Sequence, residues 1–152
     1  MSIFGGLHVI AAVLALTTAV VVLARTKGTT AHVRLGRAYV VLLVLVDLFA
    51  LLTYTQGTGP GPFHLLAVVS LATLAAAVLW SPRRRGSRQT HGILMIWSVA
   101  GLVGAGLAQG ATAALHDAAP WPTVITSAAV CGLAALATRA IASSTPRVRQ
   151  LQ

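Results

Sequence analysis

Five histidines, at positions 8, 32, 64, 91 and 116, and the aspartate Asp47 are the groups that could do chemistry within an otherwise apolar chain. Imidazoles on opposed helices can hold a flat haem inside a bundle, with iron between them. Pairing His32 with His91, and His8 with His64, would set one such site at each end of a four-helix core. Two haems so placed would relay electrons across a bilayer. Arg34, Arg37 and Arg88 would then meet propionates at the inner site, and Gly36 and Gly92 would leave room for the ring. This reading predicts haem b as cofactor and a redox or respiratory-chain role.

Three other readings compete with it. His8, Asp47 and His64, with His116 as a fourth group, make a two-histidine, one-carboxylate set suited to zinc, copper or non-haem iron. Asp47 could instead be a catalytic acid or base, oriented by His8 or His64, acting on an apolar or lipid substrate. In the third reading the histidines are structural hydrogen-bonding groups, and the chain is a non-catalytic assembly or interaction subunit. Cys131 stands alone, so a thiol-based metal or redox site has no second sulfur.

All of these need elements that bring distant residues together. Of the 152 residues, 57% are apolar and only 9% charged, and the mean hydropathy is +0.84. A soluble domain carries roughly 25% charged residues, so a soluble globular domain, a disordered tail and a disulfide scaffold are excluded. Five apolar runs, 3–24, 38–54, 63–80, 92–115 and 123–142, are each able to cross a bilayer as a helix. The runs are continuous rather than alternating, which excludes barrel strands. The connections are short and rich in Gly and Pro, so sequential helices must run antiparallel. The predicted fold is an all-α polytopic membrane bundle: an up-and-down four-helix core plus a fifth helix. Residues 1–142 form one transmembrane domain and 143–152 a short basic tail.

Charge sets the orientation. Arg25, Lys27, Arg34 and Arg37 lie between the first and second runs, and Arg83, Arg84, Arg85 and Arg88 between the third and fourth. Arg139, Arg147 and Arg149 close the chain. These are all 11 basic residues, and all fall on one side. The positive-inside rule then puts the amino terminus outside and the carboxyl terminus in the cytoplasm. The net charge of +9 reads as topogenic anchoring against anionic lipid. The basic segments lack interleaved aromatics, which argues against nucleic acid. The partners expected are the lipid bilayer and either another membrane protein or a second copy of this chain.

Three helix faces carry the polar positions. His91, Ser98, Leu102, Ala105, Gln109, Thr112 and His116 form one stripe at ~100° per residue. His8, Ala12, Ala15 and Ala19 form a second; Gly36, Val40, Leu43, Asp47 and Tyr54 form a third. Polar groups within a membrane face protein or water, so these stripes should face inward. Gly106 and Gly110 have the small-xxx-small spacing of close helix packing. Asp47 costs ~2.5–3.5 kcal/mol on insertion scales; His8, His64, Tyr54 and Gln109 are its candidate partners.

The segment Lys27-Gly28-Thr29-Thr30-Ala31-His32-Val33-Arg34-Leu35-Gly36-Arg37-Ala38-Tyr39 resembles the K-G-T-x-x-H-R-x-x-G-R-x-Y stretch of a family of small bacterial multi-pass membrane proteins, the 2306 domain-of-unknown-function family. Pro62-Phe63-His64 resembles that family's P-x-H, His91 to Met95 its H-R-R-W-M, and His8 the histidine of its first helix. Val33 stands where the family has arginine, and Gly92-Ile93-Leu94 where it has Arg-Arg-Trp. The resemblance spans roughly the first 115 residues. It implies a four-helix core in a bacterial cytoplasmic membrane, with recurrent histidines as the functional positions, and it implies no particular reaction.

Overall fold

A computed structural model describes residues 2–53, 62–82, 86–115 and 121–144. The described residues form five helices: α1 (Ile3–Ala24), α2 (Thr30–Leu52), α3 (Pro62–Leu79), α4 (Arg88–Leu115) and α5 (Trp121–Ser144). Side-chain hydroxyls start three of them. Ser2 accepts from the Gly5 amide at 3.1 Å, Thr29 from the His32 amide at 3.2 Å, and Ser87 from the Thr90 amide at 2.9 Å. Each satisfies one of the amides that a helix start leaves without an internal partner.

The turn from α1 to α2 is short because Gly28 adopts φ +85°, a conformation that side chains disfavour. Lys27 folds back there and donates to the carbonyls of Val22, Leu23 and Arg25 at 3.1, 2.6 and 3.2 Å. That places a cation at the negative end of α1, where carbonyls lack helical partners. Because Thr29 caps the next helix, α2 begins eight residues before the expected apolar run. His32, Arg34 and Arg37 therefore lie on α2 rather than in a loop.

Hydrogen bonds set the relative directions. His8, early in α1, reaches the Val46 carbonyl late in α2, so these helices are antiparallel. His91, early in α4, reaches the Ala77 carbonyl late in α3, which makes that pair antiparallel too. Tyr39 of α2 and Ser98 of α4 meet at 3.1 Å near the middle of their helices. Around the ring α1 packs on α2, α2 on α3 and α3 on α4, and α1 meets α4 lightly. α1 with α3, and α2 with α4, are therefore diagonal, and α5 lies against α4.

Small residues let α1 approach closely: Ala11, Ala15, Ala19 and Val22 recur on one buried face. They pack with Tyr39, Leu43, Val46, Leu74 and Leu102 in one core. The outward faces stay apolar; Leu133 and Leu65 are each 68% exposed. Thr17, Thr18, Thr73 and Thr138 bond back to the carbonyl four residues earlier, so their hydroxyls need no water. Such a surface matches lipid rather than water. Among the described residues four helices are long and apolar enough to cross a membrane; the apolar stretch of α3, Phe63–Leu79, is shorter.

Ala15 is fully buried whereas Val13, on the same turn, faces outward. Ala15→Leu should therefore lose about 1–3 kcal/mol of stability through overpacking. Val13→Leu should change it by less than about 0.5 kcal/mol. Thermal midpoints of both variants in one detergent check this.

Candidate functional site

α2 must bury Asp47 because Leu43 and Val46, on the same side of the helix, are core residues. The aspartate is 5% exposed. The Ser70 hydroxyl of α3 donates a hydrogen bond to it, and among the described residues no basic side chain pairs with it. Its second oxygen, Oδ2, is buried without a hydrogen-bond partner there. Ser70 was absent from the expected partners. Its signal was nonetheless present: it is a polar residue near the middle of an apolar run, facing the helix that carries the aspartate.

His8 stands on α1 beside this group. Its Nδ1–H donates to the Val46 carbonyl at 3.0 Å, one residue before Asp47. A carbonyl can only accept, so Nδ1 carries the proton and Nε2 is the acceptor in the neutral ring. Carbonyl-tied imidazoles have a fixed orientation and an available Nε2.

Both residues line a chamber of about 750 Å³ bounded by all five helices. Its wall is mostly apolar, with Asp47, His8, Ser70, Ser98, Gln109 and Cys131 as polar points. Chambers of this size suit one drug-sized or lipid-like molecule. It lies beside the seam where α1 and α4 meet lightly, and Val9, Val13 and Leu16 bring outward-facing α1 positions into its wall.

The α4 glycines make this space. A Cβ at Gly101, Gly106 or Gly110 would meet nothing within 4 Å, whereas one at Gly104 would touch Val130 of α5 at 3.8 Å. Gly106 and Gly110 are thus not the close-packing pair their spacing implies. Both are exposed, border open space and are among the residues lining the chamber.

His32 and His91 lie at the other end, in the early turns of α2 and α4. His91 donates from Nδ1 to Ala77 at 2.9 Å. His32 Nδ1 is buried without a hydrogen-bond partner among the described residues, while the ring hydrogen-bonds the Val22 backbone and lies near Lys27 and His91. Arg34, Arg37 and Arg88 are exposed at this end, and Gly36 and Gly92 border open space.

His64 is half-buried near the start of α3, at the same end of the bundle as His8, and is not among the described chamber-lining residues. The diagonal helices α1 and α3 that carry these two histidines do not pack on each other. Among the described residues no group of three or more His, Cys, Asp or Glu converges as a metal site. His116, the expected fourth ligand, lies outside the described residues, as do Tyr54, Asp117, Arg83 to Arg85, Arg147 and Arg149. Sequence reasoning also missed Tyr39, which is 1% exposed and bonded to Ser98 across the diagonal. Ser98 in turn donates to the Met95 carbonyl at 2.8 Å in its own helix. No family model, curated protein or solved structure matches this chain.

A carboxylate kept for structure stabilises its fold, whereas one kept for function burdens it. Asp47→Leu should raise stability by about 1–3 kcal/mol, since it removes an incompletely bonded buried group. Ser70 can then turn its hydroxyl to its own helix. A rise in the thermal midpoint is expected; a fall would make Asp47 a structural tie.

Proposed function

We propose that this chain is a multi-pass membrane protein whose chamber binds an apolar molecule drawn from the bilayer, with Asp47 as the group that exchanges a proton with it. The carrying observation is that Asp47, a buried carboxyl with one oxygen unpartnered among the described residues, is one of the few polar residues lining an otherwise apolar chamber. In this reading α1 to α5 each cross the bilayer, with the amino terminus outside and the basic ends cytoplasmic. α3 has 18 residues, hence about 27 Å of helix, close to a hydrocarbon core of ~30 Å.

Each part of the site then has a chemical task. Asp47 takes or gives the proton. Ser70 donates a hydrogen bond to the carboxyl and helps to fix it. His8, fixed by Val46, offers a second acceptor through Nε2. Apolar walls exclude water, which strengthens each polar contact that the ligand makes. The light α1–α4 seam suits access from lipid, because an apolar ligand need never cross water.

Organic extracts of the purified protein should contain a co-purifying apolar compound, identified by mass spectrometry. That compound should be depleted several-fold from Asp47→Asn protein of unchanged elution profile. An extract identical to that of an unrelated membrane protein in the same detergent would refute the reading.

A second reading draws on the other end of the bundle. The nearness of His32 to the carbonyl-tied His91 and the open space at Gly36 and Gly92 support haem held between α2 and α4, with Arg34 and Arg37 toward its propionates. A bound haem would supply one-electron transfer. Protein from haem-replete cells should then show a Soret band that shifts on reduction and weakens in His91→Ala. A colourless, iron-free preparation would end this second reading.

A further inference from the structure

The outward side of α2 carries a feature that the chamber does not use. We propose that Arg34 and Arg37 bind the phosphate of an anionic phospholipid in the cytoplasmic leaflet, with its acyl chains along Val41, Leu45 and Leu48. The inference rests on the membrane placement given above and on no property of the chamber.

Helix phase comes first. Tyr39, Leu43, Val46 and Asp47 are the buried residues of α2 and define its inward side. At ~100° per residue Arg34 and Arg37 fall on the opposite side, about 60° from each other. Both are exposed, and so are Val41, Leu45, Leu48 and Leu52 in the same sector. The arginines therefore crown an outward apolar strip. His32 falls on the inward side, so this assignment withdraws Arg34 and Arg37 from the propionates of the haem reading.

Capping makes their position costly. Because Thr29 starts α2, both arginines lie within the apolar span Thr30–Leu52 rather than before it. Their long side chains can reach toward the membrane surface, but each guanidinium there still needs an anion. The chain has only two acidic residues, Asp47 and Asp117. Asp47 is buried on the inward side of the same helix, and Asp117 comes after α4 in sequence, whereas Arg88 begins it. Two guanidinium groups one turn apart suit a phosphate, which accepts several hydrogen bonds at once. A zwitterionic head group would bring its own cation toward the two already present, so a net negative one is preferred.

Depth agrees with a lipid. Leu48 lies about 16 Å along the axis from Arg37, close to half of a ~30 Å hydrocarbon core. A tail that starts at the arginines thus stays on the apolar strip for one leaflet. Arg139 provides the contrast: it is exposed within the α5 span Val124–Ser143 and has no second basic residue within a turn. A diffuse positive field would use Arg139 as readily as either arginine of α2; a phosphate site would not.

The test uses the full chain, delipidated in a non-ionic detergent. Phosphatidylglycerol and phosphatidylcholine with identical dioleoyl tails are titrated in, and bound lipid is counted by native mass spectrometry. Wild type should bind phosphatidylglycerol roughly tenfold more tightly, as one added charge-assisted contact supplies. The double variant Arg34→Gln, Arg37→Gln should bind both lipids alike. Each single substitution should lose part of the preference, which gives a reading even if the double variant fails to fold. Arg139→Gln should keep the preference whole. Equal binding of the two lipids by wild type overturns the proposal. So does a preference that survives in the double variant, or one that Arg139→Gln removes to the same extent. Binding of neither lipid above the detergent background overturns the membrane placement as well. A purified protein without a chamber ligand would end the chamber reading and leave this site untouched.

Discussion

Lipid tails are as apolar as leucine, so no hydrophobic force presses these helices together once they are in a bilayer. What then selects one arrangement is close packing plus the few polar groups that must be satisfied internally. Four ties do this: His8 to the Val46 carbonyl, Ser70 to Asp47, Tyr39 to Ser98, and His91 to the Ala77 carbonyl. Each joins a different pair of helices: α1 with α2, α3 with α2, α2 with α4, and α4 with α3. The core is thus closed by side chains whose alternative is an unsatisfied polar atom in hydrocarbon. Such bonds average only about 0.6 kcal/mol within membranes. Their value is in discriminating registers, because a one-residue slip would break several at once.

The ties differ in what they leave open, and that separates the histidines from the aspartate. A carbonyl-bonded Nδ1 orients His8 and His91 whether or not anything binds Nε2. The same geometry serves a helix clamp and a ligand, so the position of the ring cannot by itself assign chemistry. Asp47 differs. Its hydrogen bond from Ser70 satisfies one side of the carboxyl, and no described cation offsets its charge. A helix clamp made from a serine or threonine would do the same mechanical task at less cost. The excess cost is the physical reason to centre function on Asp47 rather than on the more numerous histidines.

Much of the helical layout was readable from apolar run length, and α1 has the expected 3–24 bounds. The start of α2 was not, because hydropathy marks where a chain becomes apolar, whereas Thr29 starts the helix by capping it. The inward faces of α1 and α4 were legible in part: Ala15, Ala19, Ser98 and Leu102 are buried as their stripes imply. α2 is turned slightly from its expected face, with Tyr39 and Val46 in the core beside Leu43 and Asp47. The stripe omitted Tyr39 because its aromatic ring and hydroxyl satisfy both an apolar core and Ser98. Partner choice was the least readable property. Spacing locates a residue along its own helix, but the depth match between Asp47 and Ser70 depends on how α2 and α3 slide and rotate against each other.

The glycines show how the same residue pattern can mean opposite things. Small residues on α1 are buried against neighbours: Ala11, Ala15 and Ala19 are each at most 5% exposed. On α4, Gly101, Gly106 and Gly110 meet nothing at the Cβ position. The first set brings backbones together; the second keeps a volume from being filled. Glycine within a helix costs about 1 kcal/mol relative to alanine, and without tight packing that cost has no return in helix association. An empty apolar volume in a bundle also forfeits dispersion contacts along its lining. The chain therefore bears two destabilising features at one place, an incompletely bonded carboxylate and a glycine-bordered chamber. A bound molecule would fill the volume with its apolar body and restore those contacts. Neither feature alone would require a ligand, since a lone buried carboxylate can be a folding compromise and a lone cavity a packing fault. Their occurrence in the lining of one chamber, beside the lightest helix seam, is what makes binding the economical physical account of this bundle.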